Sequence, residues 1–290
     1  MSDSRVALVT GASRGAGAGI ARGLGELGYT VYVTGRTKSP GDAKGWDGSI
    51  LPGTFEETAQ MVSDLGGRGV PVQCDHADDE QVAELFARIA RDEGRLDMLV
   101  NNATYIHHQL IEKKPFWKKE LAAANILDVG LRSAYVASWH AAKIMVPQES
   151  GLIAFGSSFG ANCYMHGPAY GAQKAGIDKF AHDMEHDLRG TGVIAVSIWM
   201  GPLITERSKI ASETNPEQYK DFIETAENPE FTAHILDAID RAPNREELSG
   251  GVHIAAEIAR QLGVTDRGKE RPSYREMLGD PPSKNPAAVY

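Results

Sequence analysis

The chain has 290 residues, 42% of them hydrophobic, with 30 Lys plus Arg against 39 Asp plus Glu. That apolar share excludes global disorder, and the net charge of −9 argues against a general binder of nucleic acid or anionic membrane. The longest apolar runs, such as VIAVSIWM (193–200), are too short to span a bilayer, and MSDSRVALVTG at the start has no charged leader before a long apolar stretch. Cys74 and Cys163 lie far apart and read as small thiols in a reducing compartment, so the expectation is a soluble cytoplasmic protein.

In chain order, short β-branched runs alternate with longer amphipathic stretches. VALVT (6–10) leads through a glycine turn to a helix over 17–28, then to the strand TVYVTG (30–35). The loop TKSPGDAKGWDGSILPG (37–53) precedes a helix over 54–65, the strand GVPVQCD (69–75) and a helix over 79–93. LDMLVNNA (96–103) is the fourth strand, followed by a helical pattern over roughly 116–146. GLIAFGSS (151–158), a helix over 168–189, and VIAVSIWM (193–200) come next. Residues 202–250 are punctuated, with helical pieces at 217–226 and 231–241, before the last strand, GVHIAA (251–256).

The strand runs are continuously apolar, as parallel strands covered on both faces require. The fold class expected is therefore α/β, a Rossmann-type doubly wound parallel sheet of about seven strands in a single domain, residues 1–264. The substrate loop falls at about 202–250, where long loops leave the carboxyl ends of strands. The proline- and charge-rich stretch 265–290 reads as a C-terminal extension, loosely ordered or engaged in a subunit contact.

After the first strand, TGASRGAGAG sets Gly11, Gly15 and Gly17 between strand and helix, with Ser13 and Arg14 inside the turn. Glycine lets such a turn close and lets the backbone approach a pyrophosphate, which then meets a helix N-terminus. An NAD site wants an acid at the end of the second strand to hold the ribose hydroxyls. Here VTGRT puts Arg36 there and no acid. Arg14 and Arg36 suit the 2′-phosphate of NADP(H); the alternative is that both are ordinary surface charges.

TGxxxGxG at 11–17, NNA at 101–103, a serine pair at 157–158 and YxxxK at 170–174 stand in register. The chain thereby resembles the short-chain dehydrogenases/reductases (SDR) from its first strand to about Val264. The resemblance implies a Ser158–Tyr170–Lys174 catalytic set, with Ser157 as the alternative serine. Tyr170 and Lys174, at i and i+4, share a helix face. A phenol near pKa ~10 exchanges protons poorly at neutral pH, so a nearby ammonium, together with the positive ring of an oxidised nicotinamide, is expected to favour the phenolate and bring it down. The resemblance further assigns Tyr170 and Lys174 to the nicotinamide ribose, Asp75 and His76 to adenine, and Asn101 to the cofactor-facing end of the fourth strand. It assigns Leu203 and Thr205 to the nicotinamide carboxamide.

Two positions depart from the family pattern. Gly130 in GLRSAY stands where the family carries an asparagine that fixes a relay water, and Asn125, five residues earlier, points about 140° away from that face. A relay of waters alone, or slower proton exchange, is expected. Met200 replaces the usual proline before Gly201, leaving the turn looser or simply filling core.

Phe159 and Tyr164, close to Ser158, are the leading substrate-wall residues. Trp46, Tyr105, Trp117 and Met165 divide between such a wall and the core. No metal site is expected: HDMEH (182–186) lacks the glutamate placement of a zincin. His107 and His108 follow the fourth strand, where substrates sit, and read either as a ligand contact or as solvated loop histidines.

The function expected is NADP(H)-dependent reduction of a small-molecule carbonyl, an apolar ketone, aldehyde or steroid-like compound by the resemblance, or oxidation of the alcohol, with no nucleic-acid or membrane partner. By analogy with the family, a homodimer or homotetramer forms through 116–146 and 168–189. The alternatives are a silent NADP(H) sensor and an SDR epimerase or dehydratase.

Overall fold

The computed structural model describes residues 4–39, 41–44, 48–214, 224–283, 285 and 287–289. Among the described residues seven strands form: β1 (Val6–Val9), β2 (Thr30–Gly35), β3 (Arg68–Gln73), β4 (Met98–Asn101), β5 (Gly151–Ser157), β6 (Val193–Trp199) and β7 (Val252–Ile254). All pair in parallel in one sheet, in the order β3-β2-β1-β4-β5-β6-β7. The chain winds outward from β1 to β3, returns to β4, and winds out the other way. The strand ends between β1 and β4 therefore diverge into a crevice, where this architecture holds ligands.

The apolar runs dictate the layers. On one face α1 (Gly15–Glu26), α2 (Phe55–Asp64) and α7 (Phe231–Arg241) cover Val31, Val33, Val100 and Val196, with Ile20, Val62 and Ile235 buried between. On the other, α3 (Asp79–Glu93), α4 (Ser133–Met145) and α5 (Pro168–Leu188) cover Leu8, Leu99 and Ile153 with Leu85, Ala137 and Ile177. Both faces of the central strands are thus dry, which explains the uninterrupted hydrophobic runs. Capping is also local: Thr54 and Glu57 close a reciprocal capping box on α2, and Asp78 accepts from Glu80 and Gln81 N–H on α3.

The helix expected over 116–146 is a correction. Only Ser133–Met145 is α-helical; Phe116–Lys118 and Leu121–Ile126 are 3₁₀ turns and Asp128–Arg132 is a π turn. Gly130, at φ 142°, and Val129, at ψ 93°, leave helical geometry altogether and break the axis. The helical piece expected at 217–226 falls mainly outside the described residues. The described part of the final segment lies against the domain. Tyr274 and Leu278 pack on Phe159, Trp199 and Ile254, Arg275 bridges Glu257 at 2.5 Å, and Asn162 donates to the Asp280 carbonyl at 3.0 Å.

Candidate active site

The crevice at the switch point is a cleft of about 750 Å³ lined along one wall by the glycine turn. Gly11 and Gly15 adopt φ 66° and 61°, the left-handed region where only glycine is at ease. At Gly17 a Cβ would lie 2.4 Å from Asn102 Nδ2 and 2.5 Å from the Gly11 carbonyl oxygen. The turn is therefore glycine for packing against β4 as well as for ligand approach. Ser13, Arg14, Arg36, Asp75, His76, Leu203 and Thr205 line the same cleft.

These side chains have definite partners. Arg14 donates to the carbonyls of Pro52 (3.1 Å) and Gly53 (2.7 Å), tying the turn to the loop before α2. Arg36 Nη1 lies 3.6 Å from Asp75 Oδ2, a largely exposed pair across the ends of β2 and β3. His76 is buried and its Nε2 meets Thr34 Oγ1 at 2.8 Å; burial pushes its pKa down to about 4, so the ring is neutral at physiological pH. Thr205 caps α6 (Glu206–Thr214) by accepting from the Ser208 N–H at 3.3 Å, and the Leu203 carbonyl accepts from the Ser208 hydroxyl at 3.0 Å.

Asn101 does not line the cleft. Its amide donates to Ser138 Oγ in α4 at 3.0 Å, because a strand alternates faces and this residue turns toward the helix. Asn102 takes the expected position. Its amide donates to the carbonyls of Thr10 (2.9 Å) and Gly11 (3.0 Å), pinning β4 to the glycine turn. The doubled asparagine was the available signal; the register of β4 selects the second.

Beyond β5 the chain brings three further residues together. Ser158 Oγ and the Tyr170 hydroxyl are 2.9 Å apart, and the Gly160 N–H donates to Ser158 Oγ at 3.3 Å, fixing its rotamer. Ser157 points the other way, its hydroxyl buried 3.5 Å from the Lys174 carbonyl. Lys174 is buried, donates from Nζ to the Gly156 carbonyl at 2.9 Å, and lies 5.6 Å from the Tyr170 ring centre.

Burial dominates the electrostatics here. It raises the Tyr170 pKa, and the Ser158 hydrogen bond opposes that rise. Among the protein's own groups desolvation wins, so Lys174 alone does not bring the phenol down; the expected lowering also counted on an oxidised nicotinamide. Lys174 is itself pushed down to about 8 by burial, with Asp178 one turn on pulling it up. Asp178 is buried yet fully partnered, accepting from Ser197 Oγ (2.6 Å) and Trp199 Nε1 (2.8 Å).

The departure at position 130 has a geometric basis. A Cβ on Gly130 would come 3.1 Å from Thr104 Oγ1 and 3.2 Å from Gln173 Cγ. The Gln173 amide fills that corner and donates to the Gly130 carbonyl at 2.9 Å, while its buried oxygen has no partner among the described residues. Met200 is partly buried against the core face, with its terminal methyl 3.4 Å from where a Cβ on Gly156 would stand.

The substrate-wall expectations divide. Phe159 is a correction: it is 3% exposed and packs on Trp199 at 5.0 Å and Tyr274 at 6.4 Å, so partners remote in sequence make it core. Tyr164 is 83% exposed and rims a separate, smaller cleft with Leu110, Lys119 and His166. Tyr105 lines the main cleft, Met165 joins the Phe159 cluster, Trp117 is exposed, and Trp46 lies outside the described residues.

His166, which sequence reasoning passed over, stacks edge-on against Tyr170 at 5.0 Å between ring centres. Burial, and after it Lys119, lowers its pKa, so it stands beside the phenol as a neutral ring. Its signal was position, four residues before Tyr170.

His107 and His108 each approach Glu120 at 3.4 Å, the one metal-like grouping among the described residues. The Gln109 N–H donates to His107 Nδ1 at 3.2 Å, which leaves His107 Nε2 facing Glu120. His182 Nε2 is spent near the Asn285 carbonyl at 3.2 Å.

A doubly wound sheet with a glycine turn at its switch point, and a Ser–Tyr–Lys cluster one strand over, defines a class of protein. Residues 5–216 match the family described as short chain dehydrogenase, and the chain belongs to that family of oxidoreductases. It is 40% identical over 276 residues to mouse dehydrogenase/reductase SDR family member 1, covering 90% of this chain and 83% of that one. Among solved structures it is similar in fold to a putative dehydrogenase from Xanthomonas campestris (TM-score 0.76, 20% identity, 93% of this chain and 94% of that one). It is likewise similar to a metagenomic short-chain oxidoreductase in complex with NADP (TM-score 0.65, 24% identity, 86% and 96%). No helix among the described residues is long and apolar enough to cross a membrane.

Proposed function

We propose that this chain is an NADP(H)-dependent oxidoreductase that reduces an apolar carbonyl compound, or oxidises the corresponding alcohol, with Ser158, Tyr170 and Lys174 as its catalytic residues. The observation that carries the reading is the 2.9 Å contact between the Ser158 and Tyr170 hydroxyls with Lys174 one helical turn below.

The cleft residues fit a dinucleotide. Its diphosphate would lie on the glycine turn, where backbone N–H groups and the start of α1 favour an anion. Arg14 and Arg36 would meet the 2′-phosphate, Asp75 and His76 the adenine, and Leu203 and Thr205 the nicotinamide end. When bound, reduced nicotinamide supplies the hydride.

The protein's part is positioning and proton transfer. Ser158 donates a hydrogen bond to the substrate carbonyl oxygen. Tyr170, kept protonated by burial, gives its proton to the oxygen as negative charge develops there. Lys174 holds the floor of the site through Gly156, and its ammonium stabilises the phenolate left behind. In the oxidising direction the phenolate takes the proton back.

The test is turnover by the purified protein across a panel of ketones and aldehydes with NADPH and with NADH. Consumption of NADPH over NADH with formation of an alcohol supports the reading. Tight NADPH binding with no turnover across the panel favours a sensor, and conversion without net cofactor oxidation favours an epimerase or dehydratase.

A further inference from the structure

The Gly15 N–H is already occupied. It donates to Glu206 Oε2 at 2.9 Å, across 191 positions of sequence, so the first residue of α6 reaches over the cleft and sets a carboxylate on the glycine turn. The contact is built on both sides. Thr205 caps the helix through Ser208, with its own N–H donating to Ser208 Oγ at 2.7 Å, and this fixes where Glu206 leaves the backbone. The Arg14 guanidinium attracts the same carboxylate from the turn, and Arg207 flanks it. Glu206, Arg207 and Arg14 all line the main cleft.

A carboxylate oxygen on a turn amide is the chemical counterpart of a phosphate oxygen: both are anionic acceptors that seek N–H groups at a helix start. We infer that Glu206 is a gate on the diphosphate cradle, an anionic side chain from the substrate loop that holds the place of a dinucleotide phosphate and must be expelled for the cofactor to bind. This rests on the reading that the glycine turn takes a dinucleotide.

The consequence is a standing competition. One N–H serves one acceptor well, and two anions at the same amide repel each other. The apparent affinity for dinucleotide is therefore the intrinsic affinity reduced by the fraction of molecules whose gate is open. Because Glu206 directly follows Leu203–Thr205, expelling it also resets the start of α6 at the nicotinamide end of the cleft. Diphosphate arrival is thereby coupled to the segment that borders the substrate.

The experiment titrates wild type, Glu206→Gln and Glu206→Ala with NADPH, ADP and adenosine, by calorimetry, after circular dichroism establishes that all three proteins are folded. Removing the competing charge should tighten NADPH and ADP by about tenfold, the scale of one charge-assisted hydrogen bond, and leave adenosine unchanged. Unchanged or weaker binding of NADPH and ADP in both variants would overturn the gate. So would an equal gain for adenosine, which has no phosphate to compete. If folded wild type and both variants all ignore NADPH and ADP, the dinucleotide reading itself falls and the gate falls with it.

Discussion

The hydroxyls of Ser158 and Tyr170 meet at 2.9 Å across a twelve-residue separation, one held at the end of β5 and the other on the first turn of α5. The intervening loop delivers this contact through Gly160, whose N–H holds Ser158 and whose lack of a side chain admits the Tyr170 ring: a Cβ there would stand 2.5 Å from Tyr170 Cε1.

Arg36 should set the cofactor preference. It stands at the end of β2, 62% exposed, and among the described residues a 3.6 Å pair with Asp75 is what holds it, so its guanidinium can turn to a 2′-phosphate. Arg36→Ala should weaken NADPH binding by about tenfold or more, the worth of a charge-assisted contact, and leave NADH nearly unchanged. Dissociation constants for the two cofactors check this. Equal losses for both would remove Arg36 from the specificity argument.

Lys174 carries a cost that depends on pH. Its pKa falls from 10.5 to about 8 on folding, so the folded state disfavours the ammonium. Below the folded value both states are charged and the penalty is fully present, roughly 3 kcal/mol. Between about 8 and 10.5 the unfolded chain binds the extra proton, so stability rises with pH and the penalty is relieved. Lys174→Met should therefore gain on wild type at pH ~7 and lose that relative gain by pH ~10, a shift of about 3 kcal/mol, while abolishing turnover. Denaturant melts at the two pH values measure it.

Glu227 lies 1% exposed beneath Gly201–Leu203, accepting from the Gly201 N–H at 3.1 Å. Burial chiefly, with Asp266 adding to it and Arg271 opposing, raises its pKa from 4.5 to about 7. A raised carboxyl stabilises the fold below the unfolded value, and that contribution is lost as pH climbs through about 7. From pH ~5 to pH ~8 wild type should lose about 3 kcal/mol relative to Glu227→Gln, which does not titrate. Parallel pH profiles for the two proteins would contradict the assignment.

Much of this was legible in the residues themselves. Seven apolar runs became seven parallel strands because both sheet faces are covered, and the glycine turn and YxxxK fell on the elements that their flanks predicted. What misled was non-local. Alanine and leucine over 116–132 read as helix until Gly130 took φ 142° against Thr104 and Gln173. Phe159 read as a substrate contact until Trp199 and Tyr274, 40 and 115 positions away, closed over it. The phenol's direction of shift could not be read from an i, i+4 spacing, since burial is a property of the assembled fold. Glu206 gave no local sign at all, because its partner is 191 residues upstream.

Gly130 itself is testable. Any side chain there is strained by φ 142° and crowded by Thr104 and Gln173. Gly130→Ala should cost about 1–3 kcal/mol and shift Gln173, lowering turnover as well as stability. Thermal melts and kcat together check it; a neutral substitution would mean the π turn relaxes freely.

The decisive measurement is single-turnover reduction of an accepted carbonyl by Tyr170→Phe with NADPH bound. The phenylalanine ring keeps the packing against His166 and Gly160 and removes only the hydroxyl. The chemical step should slow by roughly 10²–10⁴-fold with NADPH affinity unchanged. A variant that reduces its substrate at the wild-type rate would show that the proton comes from elsewhere, and the Ser158–Tyr170 pair would not be the catalytic centre.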